Sequence, residues 1–158
     1  MSAQKPVPQA ASEADRVWFR VMRLHQRMLT QITQRIRTIG LSIPQFDLLS
    51  TLTEQEGISQ SELAERLYVT KGNVSGLVDR LVQAGLVERR AIAGDRRSYA
   101  MHLTAEGRRL AEAGIAIQRD FVSKTLGKLA PTDLSELDRL VVQWRDLARA
   151  ADAGQEPE

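Results

Sequence analysis

The sequence predicts a mainly α fold carrying a small two- or three-stranded β wing, α+β in class. Three observations predict it. Apolar residues recur at helical steps of three and four along residues 12–39 and again along 105–151. Between them, two short capped helices meet at a tight turn within residues 59–84. The one stretch of strand-like alternation, residues 86–103, follows at once and is broken in the middle by Gly94 and Asp95.

Residues 1–11 hold Pro6 and Pro8 and little to bury, so a flexible arm is expected there. The first helix, residues 12–39, has two apolar rows. Val17, Val21, Leu24, Met28, Ile32, Ile36 and Ile39 form one, and Trp18, Met22, His25 and Leu29 form the other. The combined face is wider than one neighbouring helix covers. Either the helix lies deep in a core, or one side packs on its own domain and the other on a second subunit. The second reading is favoured, because the C-terminal helices offer a matching surface. Gly40 closes this helix. Ser42 then caps another in a box with Gln45, Pro44 sits in its first turn, and Phe46, Leu48, Leu49 and Leu52 give it an apolar stripe.

Ser59-Gln60-Ser61-Glu62 repeats the capping box and opens a helix with Leu63, Ala64 and Leu67 turned inward. Tyr68 and Val69 make the turn, and Thr70 caps a longer helix reaching about Ala84. There Val74, Leu77, Val78 and Leu81 must be buried, leaving Lys71, Gly72, Asn73, Ser75, Gly76, Asp79, Arg80 and Gln83 on the other arc. A solvated face is the plain interpretation of such an arc. Two glycines oppose it, since each costs roughly 1 kcal/mol relative to Ala inside a helix. Close approach of the backbone to a base edge offsets that cost.

Gly85 is placed as the glycine just past this helix, and strands are expected over residues 86–91 and 98–103. The connection between them puts Arg96 and Arg97 at a hairpin tip, suited to a narrow, electronegative minor groove. Thr104 caps the next helix, with Leu110, Gly114, Ile117 and Phe121 on one side. Pro131 starts the last, whose stripe is Leu134, Leu137, Val141, Trp144, Ala148 and Ala151. Residues 152–158 are read as a flexible acidic tail.

Composition narrows the functional classes. The net charge is only +2, yet between Arg66 and Arg109 nine Lys or Arg face four acids, an excess of +5. Local positive charge is what a phosphate backbone attracts. With no cysteine and two histidines, disulfides, cysteine-based zinc sites, thiol redox sensing and a His-rich metal site all drop out. No cofactor is expected. No apolar run approaches membrane-spanning length, and a cytoplasmic location is the expectation. Phosphate-cradling glycine loops, nucleophile elbows and metal-ligand clusters are missing, so no enzyme is predicted and no residue is catalytic. Glu54 and Glu56 are assigned to an exposed, solvated turn.

The run LYVTKGNVSGLVDRLVQAGLVERR followed by GDRRSYAMHLTAEG resembles the MarR family of winged-helix transcriptional regulators. Asp95, Arg97, Leu103, Thr104 and Gly107 match that family's wing pattern. Gln45 matches the glutamine of its preceding helix, and Gly85, Leu86, Val87 and Arg89 match the entry to its wing. The resemblance implies a homodimer on double-stranded operator DNA, held by residues 12–39 and 105–151, with residues 40–104 as the winged helix-turn-helix head. Repression is the commoner mode. The implied DNA-binding set is Thr70, Lys71, Gly72, Asn73, Ser75, Gly76, Arg80, Arg96 and Arg97, with Asp95 holding the wing in shape through a charge-assisted contact. Gly76 stands where relatives often carry Arg, which implies a different operator preference. Relatives are released by a small aromatic or anionic effector in a crevice, for which Met22, His25 and Phe46 are the candidate lining; the alternative for each is ordinary core. The alternative for the whole chain is a winged-helix protein-interaction module without DNA binding.

Overall fold

The computed structural model of the chain describes residues 12–67 and 71–153, without the side chains of Lys71 and Arg96. The predicted arm at residues 1–11, the turn at Tyr68 and Val69, the Thr70 cap and most of the tail lie outside the described residues.

Among the described residues six helices and three strands follow in the order α1 (Glu13–Arg37), α2 (Ile43–Glu54), β1 (Ile58–Ser59), α3 (Gln60–Leu67), α4 (Lys71–Gln83), β2 (Val87–Ile92), β3 (Asp95–Leu103), α5 (Ala105–Lys124) and α6 (Pro131–Ala153). A 3-10 turn, Leu126–Lys128, separates the last two. The wing is a three-stranded antiparallel sheet in the order β1-β3-β2. Its outer strand β1 is two residues long, pairing Ile58 with Met101 and Ser59 with Ala100. The chain divides into two compact units inside α5, the first ending at Gly114 and the second starting at Ile115.

The first unit folds around one core. Ile36, Leu48, Leu49, Leu52, Leu63, Val74, Val78, Leu81 and Met101 are fully enclosed there. Each large aliphatic side chain among them contributes about 1.5–3 kcal/mol of transfer free energy. Local signals set the helix starts. The Ser12 hydroxyl caps α1 in a reciprocal box with Asp15, and Ser42 does the same for α2 with Gln45. Before α3 the Ser59 N–H donates to Glu62 at 2.7 Å while Glu62 N–H donates to Ser59 Oγ at 3.2 Å. The Ser59 backbone N–H, and then the Ser59 side chain, hold the Glu62 carboxyl below the usual carboxylate range.

The junction between α4, the wing and α5 is the tightest part of this unit. Gly85, at φ 72°, ends α4 in a Schellman motif, with Leu86 N–H on the Leu81 carbonyl at 2.9 Å and Gly85 N–H on Val82 at 3.0 Å. The Leu86 carbonyl then accepts from Thr104 N–H at 3.1 Å. The Thr104 hydroxyl donates to the Gly85 carbonyl at 2.7 Å and accepts from Gly107 N–H at 3.0 Å. A Cβ built on Gly107 would lie 1.9 Å from the Leu86 oxygen, so no side chain fits there. Gly114 is glycine for a similar reason, its missing Cβ lying 2.5 Å from the Phe46 ring. Phe46 is therefore core, 3% exposed, and the expectation that it lines an effector crevice gives way to packing.

On α1 the two apolar rows differ only in part. Of the first, Val21, Met28, Ile32 and Ile39 are half-buried and Ile36 is enclosed, but Val17 and Leu24 are exposed, as are Trp18, Met22, His25 and Leu29 of the second. In the second unit, α6 leaves Leu134, Leu137, Leu140, Val141, Val142, Trp144 and Leu147 open to solvent.

Candidate nucleic-acid interface

Helix α4 turns Val74, Leu77, Val78 and Leu81 into the core, as its apolar spacing demands. The opposite arc is the predicted one: Gly72, Asn73 and Arg80 are exposed, and Ser75 and Gly76 half-exposed. A Cβ on Gly72 or Gly76 would meet nothing within 4 Å. Nothing inside the described chain thus calls for glycine at either position, unlike Gly107 and Gly114.

The wing is tighter than expected and kinked. The strands reach Ile92 and Asp95, so the turn is only Ala93-Gly94, with Gly94 at φ 86°. The register jumps from Ala91↔Tyr99 to Ile92↔Asp95. Three residues, Arg96, Arg97 and Ser98, therefore form a bulge on β3. Arg97 is not at the hairpin tip, as the alternation alone suggests, but on this bulge beside it. Asp95 Oδ1 accepts from Arg97 N–H at 2.9 Å. The Ser98 hydroxyl, and then that N–H, hold the Asp95 carboxyl below the usual carboxylate range. Asp95 reaches the Arg97 backbone here, not its guanidinium.

Ion pairing sorts the basic residues of the head. Arg89 joins β2 to Asp79 of α4 and donates to Gln60 of α3 at 3.2 Å. Arg90 pairs with Glu88, Arg66 with the Gln55 amide, and Arg109 with Glu106. Arg108 pairs with Glu56 at 2.7 Å, and the same carboxylate accepts from Leu103 N–H at 3.1 Å. Glu56 lies in an exposed loop, as expected, and in addition bridges the end of β3 and α5. Arg80 and Arg97 are left exposed and without an acidic partner among the described residues. The side chains of Lys71 and Arg96, and all of Thr70, lie outside the description.

A hollow of about 200 Å³ opens between the start of α3 and the wing bulge, lined by Ser59, Gln60, Ser61, Arg97, Ser98 and Tyr99. Hydroxyl donors around one guanidinium make it a place for an anionic oxygen. Ser61 and Tyr99 carry no signal of this in the sequence, because only the β1–β3 pairing brings α3 to the wing. Among the described residues no group of three or more His, Asp or Glu is placed to hold a metal ion, and no helix is long and apolar enough to cross a membrane.

Comparison with known proteins agrees with this architecture. Residues 39–98 match the model of the MarR family. The HTH-type transcriptional repressor Mb2911 of Mycobacterium bovis is 31% identical over 111 residues, covering 70% of this chain and 80% of that protein. Among solved structures, the MarR family transcriptional regulator AbsC of Streptomyces coelicolor superposes with a TM-score of 0.80 at 24% identity, covering 90% of this chain and 99% of AbsC. Streptococcus pneumoniae FabT, solved in complex with DNA, superposes with a TM-score of 0.79 at 18% identity, covering 88% of this chain and 99% of FabT. The head, its capped helices and its wing are those of a winged helix, and the chain belongs to the MarR family of transcriptional regulators.

Proposed function

We propose that the chain is a sequence-specific DNA-binding transcriptional regulator, a repressor, that works as a homodimer on a pseudo-palindromic operator. The observation that carries this reading is the bare arc of α4. Gly72 and Gly76 face open space, and the cations Arg80 and Arg97, without an acidic partner among the described residues, lie on the same unit. A helix entering a major groove needs such an arc, with Asn73 and Ser75 (and Lys71 and Thr70 before them) supplying hydrogen bonds to bases and phosphates. The wing bulge carries Arg96 and Arg97 to the minor groove. Asp95 sets the shape of that bulge, and the hollow beside it seats a backbone phosphate.

The exposed apolar faces of α1 and α6 support the dimer. Apolar residues left open along a whole helix face are covered by a partner, and in a two-fold dimer the same patches meet each other. On this reading residues 12–39 and 105–151 set the spacing of the two heads. A small aromatic or anionic effector that prefers another spacing releases both half-sites together. Met22 and His25, exposed on α1, are available to it. The chain acts without cofactor or catalysis, in the cytoplasm.

Arg97→Ala tests the wing assignment. Operator affinity in a gel-shift titration is expected to fall about tenfold or more, with dimer mass unchanged by light scattering. Unchanged affinity overturns the assignment.

A further inference from the structure

Helix α1 carries a charged feature that the winged head does not use. Arg16, Arg20, Arg23 and Arg27 follow one another at steps of four, three and four. That spacing places them on one ridge about 60° wide and about 16 Å long. All four are exposed. Val21, Met28 and Ile32, with Trp18, Met22 and Leu29, occupy the far side of the helix. The ridge therefore faces away from the enclosed and half-buried residues of this helix, with exposed Val17 and Leu24 along one flank and Phe19 along the other. It also begins about 13 Å along the axis from Ile36, the enclosed residue of this helix.

Some bases on other helices have an acid one turn away, as in Glu106–Arg109, Asp120–Lys124 and Glu136–Arg139. Arg20, Arg23 and Arg27 have none three or four residues away on either side. No carboxylate from another element pairs with them among the described residues. Like charges at this spacing oppose helix formation, and an external anion relieves them.

We propose that this ridge is a second, sequence-independent contact for the phosphate backbone of duplex DNA, distinct from the recognition helix and wing. Sixteen ångströms of rise span about five phosphates of one strand. A duplex has anions as regular as the cations of the ridge, and the guanidinium fork pairs with phosphate oxygens two at a time. The proposal rests on the DNA-binding reading above and adds a surface to it. DNA beyond the half-sites, or a second duplex, is held by α1, raising general affinity without changing base preference.

The test is fluorescence anisotropy with a labelled random-sequence duplex of about 60 base pairs, titrated with KCl, using the full chain. For R20Q/R23Q/R27Q the plot of log Kobs against log[KCl] is expected to be shallower by about 2–3 per bound protomer, with affinity about tenfold lower near 0.1 M salt. R20K/R23K/R27K is expected to keep the wild-type slope. Circular dichroism and light scattering control for fold and mass. If the triple Gln chain does not fold, the single Gln variants replace it, each expected to lower the slope by about 0.9. Unchanged slope and affinity in the Gln variants overturn the proposal, and the head reading stands if Arg97→Ala still weakens operator binding. Polyglutamate binding that needs the ridge, with no change in the DNA slope, also overturns it and assigns the ridge to an acidic protein. A wild-type chain that binds no duplex removes both readings.

Discussion

Replacing Gly107 by alanine adds one methyl group, and the structure gives its consequence. The new Cβ would sit 1.9 Å from the Leu86 oxygen and 2.8 Å from its carbonyl carbon, so more than an ångström of movement is required. Neither side yields cheaply. The Leu86 carbonyl is tied to Thr104 N–H, and the Leu86 N–H closes α4 onto Leu81. Gly107 itself is bonded to the Thr104 hydroxyl that caps α5. Overpacking against mobile side chains costs about 1–3 kcal/mol; against pinned backbone the upper end, about 3 kcal/mol, is expected. For a chain of this length each kcal/mol shifts Tm by about 2–4 °C, so the expected drop is about 6–12 °C. The assay is thermal unfolding by circular dichroism at one fixed protomer concentration, because dimerisation couples to stability. The control is the same substitution at Gly72, where a Cβ meets nothing. Gly72 lies in the first turn of α4, so alanine gains at most the helix-interior value of about 1 kcal/mol, and Tm is expected to hold or rise. A Gly107→Ala chain as stable as wild type would refute the tight junction.

The remaining predictions follow from the same geometry. Gly76→Ala, like Gly72→Ala, is expected to leave the fold intact or firmer while weakening operator affinity several-fold in a gel shift, because the methyl group obstructs groove approach. Glu56→Ala removes a carboxylate that serves Leu103 N–H and Arg108. Both groups of the ion pair are about one-third exposed or more, so solvent screening limits the loss to about 1 kcal/mol, read from urea unfolding. The Asp95 carboxyl is held below its ordinary value in the folded wing. Its ordering of the bulge is therefore complete above the ordinary carboxylate range and is lost as pH falls through the lower, folded value. Carboxyl NMR titration is expected to show the depressed transition in wild type, and in Ser98→Ala a transition nearer the ordinary value.

Much of this molecule is legible in local signals. Ser42 with Gln45, Ser59 with Glu62, Thr104, Pro131 and Gly85 each sit where a helix starts or stops, because capping chemistry is decided within four residues. The buried stripe of α4 follows from its period. What stays hidden is set by partners far along the chain. Two-residue β1 has too little sequence to show alternation, and its strand character comes from pairing with Met101 and Ala100. The bulge at Arg96–Ser98 depends on a register jump that alternation alone places as loop. Glu56 reads as a turn acid, and its contacts 47 and 52 residues away stay hidden. Arg89 and Asp79 look like available charges, yet each satisfies the other. For Gly107 a motif match marks the residue, and only the Leu86 carbonyl supplies the reason.

The central claim is that two such heads read one operator together. Hydroxyl-radical footprinting of the wild-type protein, on a duplex selected from a random pool, tests it most directly. Two symmetric protected patches are predicted, about 34 Å or one helical turn apart on one face of the DNA, each fading in Arg97→Ala. A selected duplex with one unpaired patch, or a pool that yields no preferred sequence, would contradict it.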